Sequence, residues 1–130
     1  MFEEACDYGS PEEVCSYMDK TADAIVLTDR EGRIIRVNEP WEDLCGYSFD
    51  EVVGKTSAVL QGARTDPTVS RDISRRVKDD YAVRRVVTNY KKSGIEFRND
   101  LMILPLRRAR GSRAAFVARL QDLSSKFKVY

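Results

Sequence analysis

An α+β domain with one five-stranded antiparallel sheet is the fold class that this sequence predicts, and three stretches predict it. Ala82 to Tyr90 is rich in β-branched residues, as strands are. Past a turn, Ile95, Phe97, Leu101 and Ile103 alternate with Glu96, Arg98, Asp100 and Met102, so the odd positions share a buried face. Later, Phe116, Ala118 and Leu120 alternate with Val117, Arg119 and Gln121, so there the even positions face in.

The 130 residues suit one domain with one core, and 42% hydrophobic with 33% charged residues describes a soluble globular chain. In order, Ser10-Pro11-Glu12-Glu13 opens a helix, with Ser as N-cap, Pro at the first helical position and Glu three residues on. It runs to Lys20, and Val14, Tyr17, Met18 and Thr21 form a partly apolar stripe. That stripe suits a partner helix in a dimer or the outer face of a sheet. Ala24 to Asp29 reads as the first strand, Asp29-Arg30-Glu31-Gly32 as a turn and Arg33 to Val37 as the second strand. Asn38 caps a short helix, Glu39 to Leu44, closed by Gly46. Ser48-Phe49-Asp50-Glu51 is a capping box, stopped by Gly54.

Lys55 to Gly62 is mostly uncharged. Asp66-Pro67 opens a longer helix whose Val69, Ile73 and Val77, four apart, form a buried line. A three-stranded meander follows, over 82–91, 95–106 and 113–122, with Arg107 to Arg113 as its second connection. The tail from Leu123 to Tyr130 is expected to fray. The small helices belong on one face of the sheet, with the N-terminal helix flanking it. This divides the chain into a flanking helix (1–21), a domain (22–123) and a tail (124–130).

One feature of the hairpin needs a chemical reason. If Lys92-Ser93-Gly94 is a three-residue loop, Asn89 faces Phe97 and lies diagonal to Asn99 on the buried face. A buried carboxamide without partners costs about 1–3 kcal/mol. Two readings stay open. The amides bond to each other, to backbone or to buried water, or they face a planar polar ligand inside the sheet.

Composition limits the function classes. The chain has no histidine, which removes the commonest general base and neutral metal ligand, and no nucleophile–base pair or metal cluster suggests an enzyme. A net charge of +1 does not mark a nucleic-acid binder or a membrane-surface protein, and the arginines at 107, 108, 110 and 113 read as a solvated loop. No run approaches ~18 apolar residues, so no membrane span is expected. Met1-Phe2-Glu3-Glu4-Ala5 lacks the pattern of a signal peptide. Cys6, Cys15 and Cys45, odd in number and without metal spacing, read as reduced thiols of a cytoplasmic or nuclear protein.

Asn38-Glu39-Pro40-Trp41, Cys45-Gly46-Tyr47-Ser48 and Glu51-Val52-Val53-Gly54-Lys55 resemble the PAS domain pattern, and the terminal meander agrees. Gly54-Lys55-Thr56-Ser57-Ala58-Val59-Leu60-Gln61-Gly62 with Thr65-Asp66 resembles a signature of LOV domains, the flavin-binding, blue-light-sensing branch. Asn89-Tyr90, Lys92-Ser93-Gly94, Phe97 and Asn99 resemble a second one. The resemblance spans residues 22–123. It implies a cofactor site at Thr28, Leu60, Gln61, Asn89, Asn99, Leu101, Ile103, Phe116 and Leu120, with Trp41 and Val59 adding apolar lining.

Position by position, the family's chemistry is only partly present. Where LOV domains carry the cysteine that forms a flavin adduct, this chain has Ser57, and a hydroxyl is a far poorer soft nucleophile than a thiol. The two phosphate-binding arginines correspond to Ala58 and Ser74, and the relay glutamine to Leu120. Arg64, Arg71 and Arg75 lie nearby in sequence and read as surface charge. Thr56 also departs from the pattern. The resemblance therefore implies a regulatory PAS module, LOV-like but without adduct photochemistry, that works through protein contact. It would pair with itself or with an effector through the N-terminal helix and the outer sheet face (Arg84, Val86, Thr88, Tyr90, Val117, Arg119). No cofactor is required by that reading. The alternative is a flavin sensor, of light or redox state, that holds FMN or riboflavin without the adduct.

Overall fold

Ser10 Oγ accepts a hydrogen bond from Glu13 N at 3.3 Å and starts helix α1, Pro11–Lys20. The computed structural model describes residues 10–124. Expectations for Met1 to Ala5, Cys6 and the tail beyond Ser124 lie outside the described residues. After α1 come β1 (Ala24–Thr28), β2 (Ile34–Val37), α2 (Glu39–Cys45), α3 (Phe49–Val52), a 3-10 turn (Ser57–Leu60) and α4 (Pro67–Lys78). The meander is β3 (Val83–Tyr90), β4 (Glu96–Pro105) and β5 (Phe116–Leu120). These form a five-stranded sheet in the order β2-β1-β5-β4-β3, antiparallel at every pairing.

The hairpin register is the one its spacing implies. Lys91 N donates to Ile95 O at 2.9 Å, Gly94 N donates to Lys91 O at 2.9 Å, and Asn89 pairs with Phe97. Gly94 sits at φ +89°, a conformation that a side chain disfavours. Lys92 N donates to Cys45 O at 2.9 Å and the Lys92 ammonium pairs with Glu51, tying the hairpin to α2 and α3. That pairing holds the Glu51 carboxyl down at about 2.

The sheet is covered on both faces at β1, which is apolar at every position but its last and buries all five of its residues. On the outer face, Val14 and Met18 of α1 pack with Ile25, Leu27, Met102 and Val117. On the inner face, Trp41, Cys45, Val52 and Leu60 pack with Val26, Ile34 and Leu120. Asn38 joins these layers. Its Oδ1 accepts from Ile25 N (2.9 Å) and Trp41 N (3.1 Å), while its Nδ2 donates to Met18 O (3.2 Å) and Asp23 O (2.8 Å).

Four expectations are corrected here. Val117 is not an outer contact position, because α1 covers it completely. The α1 stripe is not left for a dimer, since its Val14 and Met18 are buried on the chain's own sheet. Ile95 is 60% exposed, because it belongs to the turn rather than to the covered part of β4. Val69, Ile73 and Val77 are only half-buried, and no residue of α4 is fully buried. Tyr90 is also less available than its outer position suggests. A Cβ on Gly62 would lie 2.4 Å from its ring, and its hydroxyl accepts from Arg64 N at 3.0 Å.

Among the described residues, no helix is long and apolar enough to cross a membrane and no cluster of side chains could hold a metal ion.

Candidate functional site

The half-buried line of α4 has a physical cause: a cavity of about 360 Å³ separates the helix from the sheet. That volume is at the lower end for small-molecule sites. The floor is the inward alternation of four strands. β1 contributes Val26 and Thr28, and β5 contributes Phe116, Ala118 and Leu120. β4 contributes Asn99, Leu101 and Ile103, and β3 contributes Val87 and Asn89. Trp41 and Leu60 close one side, and Ile73 and Val77 form the roof. At the rim stand the exposed residues Glu31, Ser57, Ala58, Gln61 and Ser74.

All nine residues named from sequence as a cofactor site border this one space. Val59 does not. It is half-buried against the Trp41–Val52 cluster instead. Sequence reading missed Val26, Val87 and Ala118, although strand alternation marked Val87 and Ala118 as inward; β1, apolar on both faces, gave no such signal for Val26. It took Ile73 and Val77 as core, since a helix over a cavity and a helix over packed side chains carry the same apolar stripe.

The asparagines meet as the register requires. Asn99 Nδ2 donates to Asn89 Oδ1 at 3.0 Å, and Asn89 Nδ2 donates to Leu60 O at 3.2 Å. Asn99 Oδ1 accepts from Gln121 N at 3.1 Å. Each NH₂ group has two hydrogens, so each retains one N–H beyond these bonds. Trp41, 1% exposed and on the cavity wall, has an indole Nε1 buried without an acceptor. Such an orphaned donor is rare in a packed core.

The charge of the site is as distinctive as its shape. Among the described residues, no lysine or arginine borders the cavity, and Glu31 is the one ionisable wall residue. Arg64 reaches Glu96 (3.4 Å), and Arg75 reaches Asp72 (2.9 Å). Arg71 is exposed and off the wall. Beside the cavity, burial pushes the Cys45 thiol up to about 12, which removes it as a nucleophile at neutral pH. The residues present thus fit an uncharged planar ring system in the interior, while no described wall residue offers a positive charge to a phosphate.

A five-stranded antiparallel sheet with a ligand-sized, mostly apolar cavity under its helices defines the class of domain. The PAS domain family model matches residues 22–125, and the chain belongs to that family. It is 37% identical over 91 residues to the blue-light-activated histidine kinase of Brucella anthropi, covering 70% of this chain and 18% of that protein. It is 33% identical over 99 residues to the bacterioopsin transcriptional activator of Halobacterium salinarum, covering 76% of this chain and 15% of that protein. The chain therefore spans less than a fifth of the length of these curated relatives. Among solved structures, the LOV domain from an Erythrobacter litoralis blue-light activated histidine kinase matches with a TM-score of 0.73 at 27% identity. The match covers 80% of this chain and 98% of that one. The PAS domain from the fruit-fly ELK potassium channel matches in fold, with a TM-score of 0.77 at 23% identity over 86% of this chain and 95% of that one. The chain is a sensory PAS module with LOV domains among its relatives.

Proposed function

We propose that this module senses a flavin-class ligand in the inner-face cavity, does so without a cysteinyl adduct, and passes the signal on through protein contact. The observation that carries this reading is the cavity of about 360 Å³ with the Asn89–Asn99 pair on its floor. Asn89, Asn99 and the indole of Trp41 would meet the polar atoms of the ring. Leu60, Leu101, Ile103, Phe116 and Leu120 would hold its faces, with Thr28 and Gln61 at the edges. When bound, a flavin supplies light absorption and reversible reduction, and the protein supplies position and output.

The lack of adduct chemistry rests on Ser57, which lines the wall at the position where the resemblance places the cysteine. Output has a direct hydrogen-bonded path. Asn99 faces the cavity and also holds the end of β5, through Gln121 N and through an antiparallel bridge to Asp122. Asp100 N donates to Gln121 O at 2.8 Å in the same place. A ligand that competes for the Asn99 amide would shift the point where the chain leaves the sheet. With Leu120 in place of a hydrogen-bonding side chain, Asn99 takes over that link. The effector would be a domain or partner protein, met through the exposed part of the outer face around Val86.

A second reading has its own support. Asn89 and Asn99 already bond to one another and to the backbone, as a ligand-free contact module would need. One absorption experiment separates the two. The purified protein is incubated with riboflavin or FMN, desalted, and its spectrum recorded before and after blue light. Retained structured absorption that blue light does not convert to an adduct is expected, and Ser57→Cys should gain that conversion. A colourless protein after both incubations supports the contact module instead.

A further inference from the structure

The rim of the cavity decides which form of a ligand can enter. Ser57, Gln61 and Ser74 line it, are exposed, and make no side-chain hydrogen bond among the described residues. They are uncharged donors and acceptors, free to meet hydroxyls. The neighbouring Thr56 and Ser70 hydroxyls are engaged, with Ala58 N at 3.3 Å and Asp66 O at 3.3 Å. Thr65 is engaged too, donating to Thr88 O at 2.7 Å, and Glu31 adds a carboxylate. Of the nearby cations outside the wall, Arg71 is exposed, the Arg30 guanidinium lies 5.4 Å from the ring centroid of Phe116, and three are engaged by carboxylates. Arg30 bonds Asp80 at 3.3 Å, Arg85 bonds Asp72 at 3.0 Å, and Arg76 bonds the same Asp72 at 3.2 Å. Among the described wall residues, a phosphate at this rim would meet one negative charge and no positive one, and would lose hydration without a charge-assisted bond from the wall in return.

We infer that the site selects the uncharged, unphosphorylated form of its ligand, a planar heterocycle whose neutral hydroxylated tail lies against Ser57, Gln61 and Ser74. This rests on the flavin-class reading for the ring but not for the charge rule. A cavity whose described wall carries one acid and no base at its mouth discriminates by charge whatever ring it holds.

The test has two arms, both at low salt so that the Glu31 field is not screened. In the first, fluorescence titrations compare riboflavin with FMN. Riboflavin should bind at least about tenfold more tightly, the scale of one charge-assisted hydrogen bond. Ser74→Arg, which puts a cation at the exposed rim, should reverse the preference by strengthening FMN binding relative to riboflavin binding. FMN binding as tightly as riboflavin to the unaltered protein would overturn the inference. In the second arm, the neutral dye N-phenyl-1-naphthylamine is compared with the anionic dye 1-anilinonaphthalene-8-sulfonate. The neutral dye should brighten and the anionic one should not. If neither flavin binds but the dyes divide in this way, the flavin reading fails and the charge rule stands. Equal brightening by both dyes, or no binding by any of the four probes, overturns the charge rule itself.

Discussion

The two faces of one sheet have been used in opposite ways. On the outer face α1 buries Pro11, Val14 and Met18, and Val14 and Met18 pack into a continuous core. On the inner face α4 is two residues longer, twelve against ten, yet buries none of its residues fully, because a cavity lies beneath it. The same apolar spacing along a helix thus serves stability on one side and ligand access on the other. What differs is the surface each helix meets. α1 lies on Ile25, Leu27, Met102 and Val117, whereas α4 spans a floor that carries the polar Thr28, Asn89 and Asn99.

The largest effect that can break this comparison comes from truncating each helix once. Met18→Ala should cost about 2–5 kcal/mol in urea unfolding, the range for a buried methionine. Ile73→Ala, half-buried over a space already open, should cost about 1 kcal/mol or less and should act mainly on ligand retention. Equal losses would mean that the two faces are packed alike.

Next is the side chain that joins the layers. Asn38→Ala removes four hydrogen bonds among α1, β1 and α2, and should cost about 2–4 kcal/mol by the same measurement. Asn38→Asp keeps the acceptor for Ile25 N and Trp41 N and should recover part of that loss. A smaller change is expected from Asn99→Ala. It leaves Gln121 N without its acceptor and Asn89 Oδ1 without its donor, so the ligand-free protein should lose about 1–3 kcal/mol. The end of β5 should also loosen, seen as faster amide exchange at Gln121 and Asp122.

The most gradual effect is set by pH and touches the core beside the cavity. The Cys45 thiol is raised by burial from 9.0 to about 12. Above about 9 the unfolded chain loses this proton while the folded chain keeps it, so the folded state binds more protons and stability falls as pH rises. The loss is at most about 1.4 kcal/mol per pH unit and stops near the folded value. Thermal melts from pH 9 upward should show this slope, and Cys45→Ala should flatten it.

Much of this arrangement was legible in the sequence. The period-two alternation in β4 and β5 and the three-residue turn fixed the register, and the register alone brought Asn89 and Asn99 together. Ala58 and Ser74, read as uncharged where the resemblance expects arginine, already described a rim without cations. The place of α1 was not legible. A stripe of Val14, Tyr17 and Met18 shows which side of a helix is apolar but not which surface will cover it. The cavity was hidden for a related reason, since Val69, Ile73 and Val77 have the spacing of a core helix. Hydrogen bonds that cross the chain, such as those of Asn38 to Met18 O and Asp23 O, have no local signature beyond the N-cap itself.

The most direct test of the difference between the faces is amide hydrogen exchange, followed peptide by peptide with and without riboflavin. Without it, α4 and the 3-10 turn at Ser57–Leu60 should exchange faster than α1, since few buried contacts hold them. With it, those two segments and the end of β5 should slow while α1 stays as it was. Equal exchange in α1 and α4, with riboflavin changing neither, would contradict the account, because it would mean that both helices close equally packed cores.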